Sequence, residues 1–480
     1  MSSDLVLPRL GARAVPVTEA LPERVLQFGT GAFLRGFVDG IVDDANRAGR
    51  FDGRVVMVGS TGSGRAHALA EQDGLYTLCV RGLRDGQPVD ETHVVTSISR
   101  ALAASDEWDA VLELARSPGL QLVVSNTTEV GIVDDPDDRR DLDPPRSFPG
   151  KLASALAERA EAFDYAGGDL TVLPCELIEG NGDRLRRLVE THARRWSVDD
   201  RLVRWMDRSV TFCNTLVDRI VPGTPEDPTD LQERLGYTDE LLTVAEPYRL
   251  WAIEGDDELA ERLPLAGLEG VVVTDDLTPF RVRKVRILNG GHTSTVPTAL
   301  LCGLTTVADA MDDPDVGAFV RRVVRDEIVP SLDIDPEMAR SFAEDVLDRF
   351  ANPFVDHALL DITFQQTAKV GVRVLPSVQG YVARYGTAPQ LIAFGLAAFL
   401  ASTRPGALPA SRPTDDAAGD WQARWDAASD LRQLARDALT DLWGIGAGSD
   451  VERRVGDALV SIDRDGCRAA LRRHLNESTP

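Results

Sequence analysis

Lysine is almost missing from this 480-residue chain: Lys151, Lys284 and Lys369 are the only three, so 49 of the 52 basic residues are arginine. Long apolar runs are missing too. The longest, LIAFGLAAFLA at 391–401, is too short to span a bilayer and reads as a buried helix. The opening MSSDLVLPRLGARAVP has no apolar core of the secretory kind, so the expected location is cytoplasmic. Five scattered cysteines (Cys79, Cys175, Cys213, Cys302, Cys467) form no CxxC, which argues against a disulfide framework and a zinc ribbon. Excess positive charge is absent. A net charge of −25 argues against nucleic acid and anionic membrane surfaces as partners, because both require a basic face. No internal repeat is visible. What remains is an ordinary globular composition, 43% hydrophobic and 27% charged, long enough for two or three domains of roughly 100–200 residues.

The first half alternates strand and helix signals. RVLQFG (24–29), RVVMVG (54–59), LQLVVSN (120–126) and LTVLPCEL (170–177) read as strands. AFLRGFVDGIVDDANRAG reads as a helix, as does ASDEWDAVLELARSPG, with Ser105 as its expected cap. YTLCVRG, RDGQ and THVVTSIS suggest an inserted hairpin. This alternation predicts a Rossmann-like α/β domain over 1–278. From about 284 the segments turn long and helical (296–311, 315–328, 336–350, 356–373, 388–403, 419–443, 451–474), predicting a mostly α-helical domain over 279–480.

VLQFGTGAFLRGF sets Gly29 and Gly31 directly after a strand and at the head of a helix. Glycine there permits a tight turn and close approach of a pyrophosphate to free helix N–H groups. The third position of GxGxxG holds Leu34, so an ordinary tight turn also satisfies these residues. The end of the second strand, VGSTGSGR, carries no carboxylate for a ribose hydroxyl; Ser60, Thr61, Ser63 and Arg65 stand there instead, leaving NAD and NADP both open.

In a chain that writes arginine almost everywhere, a retained lysine points to a position where a proton is taken or returned, since arginine keeps its own; chance retention is the competing reading. Lys284 has company in RKVRILNGGH: Asn289 and His292 are three apart and share a helix face. On an ideal helix Lys284 and the positions five and eight later fall within an arc of about 140°. One cation and two polar donors then converge on one oxygen. The pair Gly290–Gly291 suits close helix packing.

Lys284-x4-Asn289-x2-His292 resembles the K-x4-N-x2-H motif of the polyol-specific long-chain dehydrogenases, the mannitol dehydrogenase family. QFGTGAFLRGF, SNTTEVGI, PCELIEGNG, TLVDRIVPG and KVRILNGGHTSTVP recur in the family's order, with QDGLYTL and NPFVDHALL beside them. The resemblance implies catalysis by Lys284 as general acid–base, with Asn289 and His292 holding the reacting oxygen, and no metal. It implies NAD as cofactor, with NADP not excluded, at Phe28, Gly29, Gly31, Ala32, Phe33, Arg35, Ser60, Asn126, Thr127, Thr128, Glu129 and Asp218. CELI…NG and FCNTLVDRIV favour a branch acting on keto-uronates, a small-molecule sugar acid. Leu177 stands where mannitol dehydrogenases carry a substrate-holding asparagine, and Asp356 where the keto-uronate branch usually has a basic residue. Lys369 and Arg373, spaced i, i+4, are the expected partners of the substrate carboxylate, with His357 near them; a solvated helix face is the competing reading. Other sugar-acid or polyol dehydrogenases of the family remain alternatives. From another class, a dinucleotide-binding regulator without turnover fits poorly with an intact Lys–Asn–His set. A monomer or small homo-oligomer is expected.

Overall fold

In the computed structural model, residues 7–11, 21–59, 64–127, 131–196, 200–409, 413–416 and 418–477 are described. Ser60, Thr61, Ser63, Thr128 and Glu129 lie outside them. The chain divides into two compact units, residues 1–81 with 89–277, and residues 82–88 with 278–480. No helix among the described residues is long and apolar enough to cross a membrane.

Twelve strands are described: β1 (Glu23–Phe28), β2 (Arg54–Gly59), β3 (Tyr76–Arg84), β4 (Gln87–Val95), β5 (Ile98–Ala103), β6 (Leu122–Ser125), β7 (Leu170–Pro174), β8 (Val210–Phe212), β9 (Thr215–Asp218), β10 (Thr243–Ala245), β11 (Leu250–Glu254) and β12 (Val271–Thr274). Six of them build one sheet in the order β5-β2-β1-β6-β7-β8, every neighbouring pair parallel. Counted by appearance within the sheet this is 3-2-1-4-5-6, the doubly wound order. The side-chain period of two explains why the sheet is buried on both faces. Val25, Val55, Met57 and Val124 enter one core with Phe37, Val38 and Ile41; Leu26, Phe28, Val56, Val58 and Val123 enter the other with Trp108 and Leu152. β10-β3-β4 and β12-β11-β9 form two small sheets. β3 and β4 make the inserted hairpin, turning at Asp85 and Gly86, both at positive φ (52° and 69°) as a two-residue primed turn requires. Ile98 and Ser99, read from sequence as hairpin, belong to β5 of the main sheet.

The helix after β5 starts later than expected. It spans Trp108–Arg116, and Ser105 does not cap it; Glu107 stands at the cap, its carboxylate reaching back to the Ala103 N–H at 3.0 Å. Four residues of Trp108–Arg116 are buried, led by Val111, so the amphipathic pattern is right while its start was misplaced.

Apart from the hairpin tip at 82–88, the regular elements of the second unit are helical among the described residues. Its first helical run is continuous from Thr278 through Leu301, with a π-helical stretch at Lys284–Asn289. The helix expected over 296–311 therefore begins much earlier, and it breaks at Cys302, where Gly303 turns the chain at φ +83°. The helix expected over 356–373 is split by Gln365 at φ +51°; Gln366–Lys369, a π stretch Val370–Val374 and Leu375–Tyr385 then run on together. Periodicity averages over such a break, so the sequence pattern bridged it. The apolar stretch near 391–401 is helix Gln390–Ser402, buried on nearly every side.

Candidate functional site

In the first unit the site is the turn after β1. Gly29 has φ +130°, and a Cβ there would lie 2.9 Å from Leu34 Cδ1 and 3.1 Å from the Asn126 carbonyl oxygen. Only glycine fits. Gly31 is the opposite case: a Cβ would meet nothing within 4 Å. Nothing in the protein requires glycine there, and its bare backbone at the head of the helical run 32–47 leaves room for a group from outside. That cradle fits a dinucleotide pyrophosphate.

Gly36 supplies what Leu34 cannot. A Cβ on Gly36 would stand 2.6 Å from Val221 Cγ1, so Gly36 lets the segment after β9 close onto the helix. The helix is π-helical over Arg35–Asp39, and donors from elsewhere serve its carbonyls: Tyr76 Oη donates to the Arg35 carbonyl at 2.7 Å and Arg219 Nη1 to that of Gly36 at 2.7 Å. Arg35 itself is buried; Nη1 donates to the Thr30 carbonyl at 2.5 Å and Nε to Thr243 Oγ1 at 3.2 Å, bracing the turn from beneath. Ala32 and Arg35 line a cleft of about 430 Å³ with Gly64, Arg65, Pro222–Thr224 and Glu240.

The remaining expected cofactor residues divide by what their side chains do. Phe28 packs its ring 5.1 Å from Phe148 in the core and offers the turn only its carbonyl, which accepts from the Asn126 N–H at 3.1 Å. Phe33 is partly exposed, stacked 5.2 Å from Phe37. Asn126 Nδ2 donates to the Cys175 carbonyl at 2.8 Å. Thr127 donates through both N–H and Oγ1 to Glu176 Oε1, each at 2.9 Å. Glu176 is buried, and burial raises its pKa against those hydrogen bonds. Asp218 is buried at the end of β9. Leu177 stands 64% exposed beside buried Glu176, so the two neighbours do opposite jobs.

In the second unit Lys284 opens the π stretch and Asn289 closes it, with His292 in the α-helix that continues. An i→i+5 hydrogen-bond pattern sets residues five apart one above the other, so Lys284 and Asn289 share a face more closely than an ideal α-helix allows. Among the described residues no protein group partners the Asn289 amide, while its carbonyl accepts from Thr293 Oγ1 at 2.8 Å. The His292 ring lies 4.0 Å from Phe350 and 5.3 Å from the His357 ring. Burial holds the His292 pKa well below its usual value, and His357, Arg349, Arg373 and Lys369 push it the same way. These effects favour the neutral ring, which has one nitrogen that donates and one that accepts.

Lys369 and Arg373 both act electrostatically on His292, as does Arg349 on helix Pro336–Phe350, which no sequence signal had marked. Burial and the neighbouring Arg373 lower the Lys369 pKa, and its Nζ donates to the Ile362 carbonyl at 3.1 Å. Among the described residues none accepts a hydrogen bond from the Arg373 guanidinium. A Cβ on Gly290 would lie 2.8 Å from the Arg373 carbonyl oxygen, so the Lys369–Arg373 segment rests directly on the Lys284–His292 helix. Asp415 accepts from Thr367 N–H and Oγ1 at 3.0 and 2.8 Å, and Trp421 and Trp443 donate to Thr367, pinning the segment from its other side. Asp356 is exposed, and burial lowers the pKa of His357.

Residues 23–267 match the mannitol dehydrogenase Rossmann domain and residues 276–416 the mannitol dehydrogenase C-terminal domain. Altronate oxidoreductase of Bacillus subtilis (strain 168) is 45% identical over 386 residues, 79% of each chain. Altronate oxidoreductase of Halalkalibacterium halodurans is 41% identical over 483 residues, 95% of this chain and 94% of its own. Among solved structures, D-sorbitol dehydrogenase in substrate-free form superposes with a TM-score of 0.79 at 24% identity, covering 97% of this chain and 100% of its own. Pseudomonas fluorescens mannitol 2-dehydrogenase, solved with NAD and D-mannitol, gives 0.62 at 24%, covering 96% and 95%. With both domain models matched in order over the Gly29 turn and the Lys284–Asn289–His292 helix, the chain belongs to the mannitol dehydrogenase family.

Proposed function

We propose that this protein is an altronate oxidoreductase, interconverting D-altronate and D-tagaturonate with a nicotinamide dinucleotide, NAD or NADP. The observation that carries the substrate is the set of cations around His292. Lys369, Arg373 and Arg349 act on one imidazole, and the Arg373 guanidinium is unpartnered among the described residues. A neutral polyol needs no such charge; a uronate carboxylate does. Relatives of the same name at 41–45% identity support the assignment.

Bound nicotinamide supplies or accepts the hydride. In reduction Lys284 Nζ gives a proton to the ketone oxygen, while the Asn289 amide and the neutral His292 ring donate hydrogen bonds to that oxygen as negative charge develops on it. The C=O bond becomes H–C–O–H, and Lys284 regains its proton from solvent. In oxidation neutral Lys284 takes the hydroxyl proton. Lys369 and Arg373 hold the carboxylate. Gly29, Gly31 and the cleft beside Arg65 hold the dinucleotide.

The test follows reduced-nicotinamide absorbance with D-tagaturonate, D-fructuronate and D-fructose, with NADH and NADPH. D-tagaturonate is expected to give the highest kcat/KM. A charge-assisted hydrogen bond contributes about 1.5–3 kcal/mol, so Lys369→Met is expected to lower kcat/KM for the keto-uronate by ~10–100-fold and to spare the ketose. Equal loss on both substrates would make Lys369 structural. A wild type preferring D-fructose would return the protein to the polyol branch.

A further inference from the structure

Beneath the glycine turn two polar side chains are shut away from water. Gln27 of β1 and Asp39 of the π stretch are both 0% exposed, set among Val25, Phe37, Val38 and Ile41. Gln27 Nε2 donates to Asp39 Oδ2 at 3.2 Å and also to the Gly29 carbonyl at 3.2 Å. The other two oxygens, Gln27 Oε1 and Asp39 Oδ1, have no partner. A buried acceptor without a donor costs about 1–3 kcal/mol, and an ionised carboxylate more. Two such atoms on two side chains already in contact have one economical resolution, a proton.

We propose that Asp39 works as a neutral carboxylic acid paired with Gln27, and that this pair is the positioning element of the dinucleotide-binding turn. A proton on Oδ1 gives Gln27 Oε1 its missing donor, and the amide and the acid then close a two-hydrogen-bond ring. With its amide fixed in this way, Gln27 holds the Gly29 carbonyl, and with it the peptide leading to Gly31. Loss of the proton sets a carboxylate against the Gln27 oxygen and releases the turn. The groups facing Asp39 are few: Arg35 from its own helix favours ionisation, while Tyr76 of β3 and Cys175 after β7 are neutral and buried. Burial raises the Asp39 pKa to about 8, outweighing both the Gln27 hydrogen bond and Arg35, which is engaged by Thr30 and Thr243.

This rests on the reading that the turn binds a dinucleotide, and the experiment separates the two. NADH affinity is measured by fluorescence titration from pH 6 to 9.5 in wild type, Asp39→Asn and Asp39→Leu, and thermal unfolding is followed from pH 5 to 9. Asparagine reproduces the neutral acid, one donor and one acceptor. Wild-type Kd is expected to rise up to about tenfold per pH unit once Asp39 ionises. Asp39→Asn should bind as wild type does at pH 6 and show no such rise, and Asp39→Leu should bind weakly at every pH. For stability, a carboxyl with a raised folded pKa contributes fully below its unfolded value near ~4 and loses that contribution as pH climbs to about 8. The Tm of Asp39→Asn should therefore pull ahead of wild type across that window. A flat wild-type Kd, or an equal rise in Asp39→Asn, overturns the positioning role. A constant Tm difference overturns the neutral acid. Absence of NADH binding in wild type at pH 7 would instead refute the dinucleotide reading.

Discussion

The Gly290 Cα and the Arg373 carbonyl face each other so closely that a Cβ on Gly290 would sit 2.8 Å from that oxygen. Real Cβ atoms do not approach backbone so nearly, so the residue after Asn289 must be glycine for the cation-bearing segment to reach the lysine helix. Gly290→Ala is expected to force the two apart, destabilise the protein by about 1–3 kcal/mol in urea unfolding and reduce kcat/KM at least tenfold. Gly291→Ala, whose new Cβ would first meet the Phe350 and Val324 side chains at 3.4 Å, should cost less in both measurements. Equal effects would dissolve the distinction.

Lys284→Ala should lose ~10²–10⁴-fold in kcat and leave NADH binding unchanged, because only proton transfer is assigned to this side chain. Lys284→Arg should be nearly as poor, since arginine keeps its proton. Steady-state rates with fluorescence binding in parallel decide it; activity within a few-fold of wild type would remove Lys284 from the chemistry.

The two glycines of the turn should fail in different ways. Gly31→Asp is expected to fold normally, the space beside Gly31 being open, and to abolish NADH binding by setting a carboxylate where the pyrophosphate comes. Gly29→Ala should instead lower stability, by roughly 1 kcal/mol or more, through its φ of +130° and the Asn126 carbonyl. Unfolding curves and NADH titrations of both variants would show whether conformation and binding separate as stated.

His292 should contribute no ionisation to the working pH range. Its pKa is depressed by burial and by the cations around it, so the neutral ring persists as pH falls through the usual imidazole range near ~6.5. Its charged form, which would repel Lys369 and Arg373, appears only in stronger acid. The expected kcat/KM profile is free of an imidazole step between about pH 5.5 and 7.5, and His292→Gln should lower the profile without changing its shape there. A step that vanishes in His292→Gln would show that the ring titrates during turnover.

How much of this was legible beforehand depended on range. β2 was readable to the residue, because three valines in a short apolar run closed by glycine leave little choice. The Gly29 turn and the Lys284–Asn289–His292 spacing were readable because each lies within one local segment. Ser105 was misread as a cap since any serine before a helical pattern looks like one, and only the Glu107–Ala103 contact decides. Helices 296–311 and 356–373 were misjudged because apolar periodicity carries across a kink that a positive φ at Gly303 or Gln365 makes in fact. Glu176, Gly36, Arg219 and Arg349 went unmarked: each acts on a partner far along the chain, and nothing in its own neighbourhood announces that.

The sequence by itself determined the alternation of strands and helices, the order of motifs and the Lys284–Asn289–His292 spacing, since these follow from local residue chemistry and spacing. Tertiary structure decided the rest. It set the 3-2-1-4-5-6 strand order, which depends on which apolar faces find one another. It made Lys284–Asn289 a π-helix, against which the Arg373 backbone packs at Gly290. It buried Gln27 and Asp39 together beneath Gly29, and it drew Lys369, Arg373 and Arg349 to one imidazole from separate stretches of chain. Each of these depends on distances between residues remote in sequence, and such distances come into being only when the core closes.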